Sequence, residues 1–400
     1  RYLTNMAAKA TSGVFIVAAK RTPFGAMGGK LSKLTPTDLG TIATNAAIKQ
    51  AGIDPKIIDD VFFGNVSQSA SDTPYLGRHV GLRAGIPVET PGLTVNRLCG
   101  SAFESVVQAT KGILLGESKI VAAGGAETMS MAPYVLRDVR QGTKFPNNLV
   151  LEDLLWQNLN DLHVKMPMGA TADKVAKQNG ITREEADKYA LRSQHLWQQA
   201  QDAGLFKEEI TPVEVKGKKG PELVSVDEYP RGKLATIEAM QKLPPVFSKD
   251  GVTTAANASG INDGGGCLIV ASEAAVKEHN LKPIARVVSW SSVGVDPTIM
   301  GIGPVPSIRN ALKVAGLKIE DLDLIEINEA FAAQYLACEK QLGFDRNRAN
   351  LQGGAIAIGH PTGATGSRVL GHLAYELRRT NKKYGVGSAC CGGGMGIAVI

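Results

Sequence analysis

The stretch AGIDPKIIDDVFFGN at residues 51–65 returns at residues 315–329 as AGLKIEDLDLIEINE. Both read as a helix end at Ala-Gly, an acidic turn, a buried strand and a polar strand tip, Asn65 in one copy and Glu329 in the other. The offset is 315 − 51 = 264 residues. A second pair follows: GLTVNRLCGSAFESVV around Cys99 and ANLQGGAIAIGHPTGATGSRVL around His360, at 360 − 99 = 261. A third joins KIVAAGGAETM (119–129) to YGVGSACCGGGMG (384–396). Three co-linear matches at nearly one offset describe a duplicated α/β unit with alternating strands and helices. The first half is read as 1–127 with 258–283, and the second as 284–400. Residues 128–257 form an insertion richer in Lys, Glu, Gln and Pro. In it Thr182 and Glu185 spell a capping box ahead of an amphipathic helix. KGKKGPELVSVDEYPRGK (216–233) reads as a basic, turn-rich excursion.

Composition narrows the class. The 400 residues are 44% apolar, 20% charged and 5% aromatic, with 45 glycines. That is a globular chain rather than a disordered or fibrous one. Forty-four basic against 38 acidic residues give +6, a surplus too dispersed for a nucleic-acid binder. Five cysteines, odd in number and mostly far apart, point to a reducing compartment and not to a disulfide framework. No apolar run approaches the roughly 18 residues of a membrane span. Residues 1–12 lack acids and read as a weak, short mitochondrial presequence.

The residues that can do chemistry sit at the repeated turns. Cys99 stands between a strand and a helix whose apolar face runs through Phe103, Val106, Val107, Thr110 and Leu114. The positive end of a helix favours thiolate, the nucleophilic form. The competing reading is a buried packing cysteine. His360 is its repeat partner, with Pro361 read as the first helical residue. A neutral imidazole there can take the thiol proton or donate to an oxyanion. The competing role is a core or capping histidine. Cys390-Cys391 precede three glycines. Backbone N–H groups in such a run can form an oxyanion hole, and either cysteine can be a second acid/base. A vicinal disulfide is the rival. A metal site is discounted, because zinc ligands need spacing. Asn328, at the tip of LIEI, orients a water or the imidazole, or serves as a helix N-cap. The small-residue run from Thr254 to Gly264 leaves room for something flat or extended to lie against the backbone.

NRLCGSAFES, NASGINDG, NEAFA, GGAIAIGHPTGATGSR and CCGGGMG resemble, in order and spacing, the signature segments of the thiolase family. The resemblance runs from about Ile16 to Ile400, and in particular to the mitochondrial 3-ketoacyl-CoA branch of acetyl-CoA acyltransferases. It implies two similar α/β halves stacked in five layers (αβαβα) plus an inserted loop domain that covers coenzyme A. It implies CoA-dependent thiolytic cleavage of 3-ketoacyl-CoA in fatty acid β-oxidation, through an acyl group on Cys99. His360 would activate Cys99 and, with a water held by Asn328, bind the thioester oxygen. Cys390 would be the second acid/base, and the N–H groups of Cys99 and Gly392 a second oxyanion hole. Ser259, Met168, Phe247 and Ile261 would contact the CoA pantetheine arm, and Arg231 its adenine nucleotide. Coenzyme A enters as co-substrate; no permanently bound cofactor or metal is implied. The partners implied are acyl-CoA and CoA, with no nucleic acid and no membrane span, in a homodimer or homotetramer. The compartment implied is the mitochondrial matrix, with the cytoplasm as alternative.

Two departures bear on the reading. Ala102 stands where relatives often have Gly. Pro167 stands where acetoacetyl-CoA thiolases carry His, which favours the broad chain-length type over the alternative, an acetyl-CoA acetyltransferase. A condensing synthase on the same fold carries His at the Cys390 position, and an idle acyl-CoA binder would not need Cys99, His360 and Cys390 together. Hydrolysis of an acyl-Cys99 would give a thioesterase side activity.

Overall fold

The computed structural model describes residues 13–217 and 219–400. The presequence reading at 1–12 lies outside the described residues. The first half runs β1 (Val14–Arg21), α1 (Pro36–Ala51), β2 (Asp60–Gly64), α2 (Leu76–Arg83), β3 (Gly92–Val95), α3 (Ser101–Leu115) and β4 (Ile120–Thr128). The insertion carries α4 (Met168–Asn179) and α5 (Arg183–Asp202). The chain then returns to the first half through β5 (Asn262–Ser272) and β6 (Ala285–Arg286). The second half follows as β7 (Trp290–Gly294), α6 (Pro304–Ala315), β8 (Leu324–Ile327), α7 (Ala332–Leu342), α8 (Thr365–Arg379), β9 (Gly385–Cys391) and β10 (Met395–Val399).

The duplication is written in the sheets. The first has the order β6-β1-β5-β4-β2-β3, with Gly25–Ala26 paired to β5, and the second β7-β10-β9-β8. Leaving aside the two-residue edge strand β6, in each the half's first strand lies antiparallel to its last (β1 on β5, β7 on β10). The last strand lies antiparallel to the one before it, which is parallel to its neighbour (β4 on β2, β9 on β8). Register agrees to the residue. Asp60 faces Val121 and Leu324 faces Gly385, so 324 − 60 and 385 − 121 are both 264. Helices α3 and α8 begin at 101 and 365 and end at 115 and 379, again 264 apart. Helices α1 and α6 both stop at a left-handed glycine, Gly52 (φ 68°) and Gly316 (φ 70°), the conformation a side chain disfavours. Strand β6 belongs to the first sheet, beyond the boundary expected at 283, and we propose 286 as the end of that half.

Five layers result. Helices α1 and α2 cover the outer face of the first sheet, and α6 and α7 that of the second. Helices α3 and α8 lie between the sheets, against both and against each other. The central core joins Phe103, Val106, Val369 and Leu370 of these helices to Val121, Ile397 and Val399 of the sheets. Truncating Phe103, which has no exposed surface, would cost about 3–5 kcal/mol. A Cβ on Gly366 would stand 2.1 Å from the Phe103 nitrogen, so only glycine lets α8 cross α3 this closely. Strand β4 is buried along its whole length, which explains its run of Ile, Val, Ala and Gly.

The insertion is tied down by burial. The α5 residues Ala186, Tyr189 and Ala190 enter the core of the second half. Thr182 and Glu185 make the expected capping box. The 216–233 excursion is more regular than expected: Val213–Gly217 and Gly220–Val224 pair as a hairpin, because Val213 and Val224 pack on Leu31 and Leu39. It leads to Asp227, which with Glu209 holds the buried Arg21 guanidinium at 2.6 and 2.8 Å.

Candidate active site

Cys99 sits in the turn between β3 and α3. Leu98 adopts φ 50°, and Ser101 Oγ bridges the turn, accepting from the Arg97 N–H at 2.9 Å and donating to the Leu98 carbonyl at 2.6 Å. A non-glycine residue in this backbone region marks a strained turn. The sulfur accepts from the N–H groups of Gly392 and of Cys99 itself. Even so, burial pushes the thiol up to about 11, with the nearby Glu127 charge adding to it. Burial thus opposes the helix end, which favours thiolate, and leaves a thiol for His360 to deprotonate. Desolvation outweighs a terminal dipole worth about 1 kcal/mol.

His360 does not begin a helix. Pro361 lies in a turn, where its carbonyl accepts from the N–H groups of Ala364 and Thr365 at 2.9 and 3.1 Å, and α8 starts only at Thr365. Since α3 starts at Ser101, the strict counterpart of Cys99 is Gly363, three residues beyond His360. Gly359, at φ 109°, lets the chain pass so close to Asn262 that a Cβ would lie 2.5 Å from its amide, whose oxygen accepts the His360 N–H at 2.9 Å. His360 Nδ1 is 2.6 Å from Thr365 Oγ1, and that hydroxyl donates to the Pro361 carbonyl at 3.1 Å. With its one proton committed there, Thr365 accepts from Nδ1–H, which leaves a lone pair on Nε2. Burial, with the Arg368 charge adding, pushes the imidazole down to about 3, so it is neutral.

Asn328 follows β8 without capping a helix, since α7 starts at Ala332 after Phe331. Its Nδ2 lies 3.4 Å from His360 Nε2, and its buried Oδ1 has no partner among the described residues. A buried acceptor of this kind calls for a water. Cys390 and Cys391 end β9 on opposite faces, both free thiols. Cys390 packs with Met300, Ala330, Met168 and Phe331. Burial, with Cys99 and Cys391 alongside, holds its thiol well above the usual range. Cys391 belongs to the central core, and a Cβ on Gly100 would lie 2.7 Å from its sulfur. Gly393 and Gly394 take φ 73° and 76°, turning the chain so that the Gly392 N–H reaches Cys99.

Two cavities meet at Cys99. One, of about 150 Å³, is lined by Cys99, His360, Met168, Phe247, Ser259 and Ile261, with Pro167 on its wall. The other, of about 300 Å³, is lined by Cys99, Gly392, Leu98, Leu155, Val66 and Ser67. Arg231 lines neither. It is exposed, and its backbone N–H donates to Gln194 Oε1 at 2.8 Å. Among the described residues no group of three or more His, Cys, Asp or Glu is placed to hold a metal. Thr365 and Glu127 were not foreseen. Thr365 is one more small residue in a Gly-rich turn, and Glu127 is an acid at the end of a strand that reads as plain core.

The family models for the thiolase N-terminal domain and the thiolase C-terminal domain match residues 14–274 and 281–400. The chain belongs to the thiolase family. Among curated thiolases it is 57% identical to the mitochondrial 3-ketoacyl-CoA thiolase of Homo sapiens, over 97% of this chain and 98% of that one. It is 45% identical to an acetyl-CoA acetyltransferase of Syntrophomonas wolfei, over 98% and 99%. The crystal structure of human mitochondrial 3-ketoacyl-CoA thiolase in complex with CoA superimposes with a TM-score of 0.95 at 55% identity, covering 98% of each chain. The fold described above is therefore shared with that structure.

Proposed function

We propose that this thiolase cleaves 3-ketoacyl-CoA with coenzyme A, giving acetyl-CoA and an acyl-CoA two carbons shorter. The observation that carries this is the convergence on Cys99 of two cavities, two N–H donors, a neutral imidazole and a second buried thiol. His360 Nε2 takes the Cys99 proton as the sulfur attacks the 3-keto carbon. The oxygen gathers negative charge opposite fixed donors. The C2–C3 bond then breaks, its electron pair passes to C2, and the Cys390 S–H protonates that carbon, releasing acetyl-CoA. The acyl group stays on Cys99. Incoming CoA loses its thiol proton to the Cys390 thiolate and attacks the thioester carbonyl. His360 returns its proton to the departing Cys99 sulfur. Two neutral thiols and a neutral base suit this cycle, since each proton moves only as a bond forms or breaks.

The narrower cavity with Met168, Phe247, Ser259 and Ile261 suits the pantetheine arm, and Arg231 outside it suits a nucleotide at the surface. The wider cavity suits an acyl tail longer than acetyl. That favours the 3-ketoacyl-CoA reading over acetoacetyl-CoA thiolase, as does Pro167 on the cavity wall. The relatives named as mitochondrial support a place in the mitochondrial matrix and a role in β-oxidation. We infer assembly with a second copy, in a dimer or tetramer, through the open edge of β3, where Val88 and Leu93 are 66% and 50% exposed. Thiolysis assayed over a chain-length series tests the activity. Sedimentation of Leu93→Lys beside wild type tests the assembly.

A further inference from the structure

Glu127 is the penultimate residue of β4 and is fully buried. Its carboxylate collects donors from both halves of the chain. Oε1 accepts from the Ser67 N–H at 2.9 Å and Asn65 Nδ2 at 3.3 Å. Oε2 accepts from the Val66 N–H at 3.0 Å, Thr362 Oγ1 at 2.9 Å and the Gly363 N–H at 2.9 Å. Val66 and Ser67 line the wider cavity, and Thr362 lines both cavities two residues beyond His360. Glu127 itself lines neither. The loop is pressed onto the strand: a Cβ on Gly125 would lie 1.9 Å from the Gly363 carbonyl oxygen, and one on Gly363 2.8 Å from Glu127 Oε2.

We propose that Glu127 is a positioning residue. It clamps the loop carrying His360 to the wall of the wider cavity, and so fixes the imidazole against Cys99. This rests on the reading of Cys99 as nucleophile and His360 as its base. A carboxylate suits the role because it accepts only, with about four lone-pair sites on two oxygens. An amide of the same shape would turn an NH2 group toward some of these five donors and drive the two loops apart. A structural acid far from the chemistry would need no donor from the His360 loop.

The test uses the full chain with Glu127→Gln and Thr362→Val. The acylation rate is measured per titratable Cys99 with 3-ketooctanoyl-CoA, and KM for CoA in steady state. The Glu127→Gln rate is expected to fall about 100-fold per site, because a loop displaced by about 1 Å costs that much. KM for CoA should stay within about twofold, since Met168, Phe247, Ser259 and Ile261 of the narrower cavity lie outside the displaced loop. A purely structural carboxylate would reduce the number of titratable sites and leave the rate at each unchanged. A per-site rate within about threefold of wild type overturns the proposal. Should Glu127→Gln not fold, Thr362→Val decides: it keeps the carboxyl group, deletes one donor and is expected to slow acylation about tenfold, and an unchanged rate overturns the proposal. Wild-type protein that forms no acyl-Cys99 refutes the underlying reading instead.

Discussion

Chain-length preference follows from the wider cavity and can be worked through in numbers. At about 300 Å³ it has room for several methylene groups, each of about the ~30 Å³ share of a water molecule. 3-Ketooctanoyl-CoA has four more carbons than acetoacetyl-CoA. At about 0.8 kcal/mol for each buried methylene, four contribute up to about 3 kcal/mol, or roughly 200-fold in kcat/KM. Leu155 is buried and lines this cavity alone. Leu155→Trp fills it, so the preference for the longer substrate should fall about tenfold or more while acetoacetyl-CoA is cleaved within about threefold of the wild-type rate. The assay is thiolysis of the C4, C6 and C8 substrates, followed by loss of the enolate absorbance. Wild-type protein that prefers acetoacetyl-CoA, or a Leu155→Trp protein that loses activity equally at every length, refutes the reasoning.

Further outcomes are expected. Cys390→Ala should still take an acetyl group from acetyl-CoA onto Cys99, since no carbon–carbon bond breaks, yet exchange the α-protons of acetyl-CoA at least about 100-fold more slowly, as read by NMR in deuterium oxide; wild-type exchange would exclude Cys390 as the acid/base. Asn328→Ala should lower kcat by about 10–100-fold while KM for CoA holds, because the Asn328 amide lies against His360 and not against the wall formed by Phe247 and Ser259. Stability should fall in acid through Glu209. Burial would raise its carboxyl, but Arg21 and His372 outweigh it and hold the group down at about 2, against 4.5 when free. A carboxyl depressed in the folded state stabilises above pH 4.5, and the gain is lost as pH falls toward 2, about 3 kcal/mol in all. Urea midpoints across that window should drop less for Glu209→Gln than for wild type; equal drops would exclude Glu209 as the source.

The fold was largely legible because duplication leaves its mark in residue order. The 264-residue offset of the AG turns returns in the register of β2 on β4 and of β8 on β9 and in helices α3 and α8, while the insertion breaks it for β5 and β10. What the sequence hid was local. His360 aligned with Cys99 by eye, but the helix starts pair Cys99 with Gly363, because Pro361 makes a turn that only the hydrogen-bonding pattern reveals. The balance of forces on the Cys99 thiol is hidden for a related reason. A helix end is visible in a sequence, but the loss of water around a sulfur is a property of the packed molecule. Thr365 sets the tautomer of His360 with a hydroxyl that any turn might carry. Glu127 closes the site from behind through contacts 60 and 235 residues away in the chain, which no local pattern signals.

The central claim is that Cys99 carries the acyl group. Wild-type protein mixed with 3-ketooctanoyl-CoA and no free CoA, quenched in acid, digested and mapped by mass spectrometry should show one hexanoyl adduct, on the peptide containing Cys99. No adduct, or one on Cys391, Cys267 or Cys338 with Cys99 unmodified, would contradict the account.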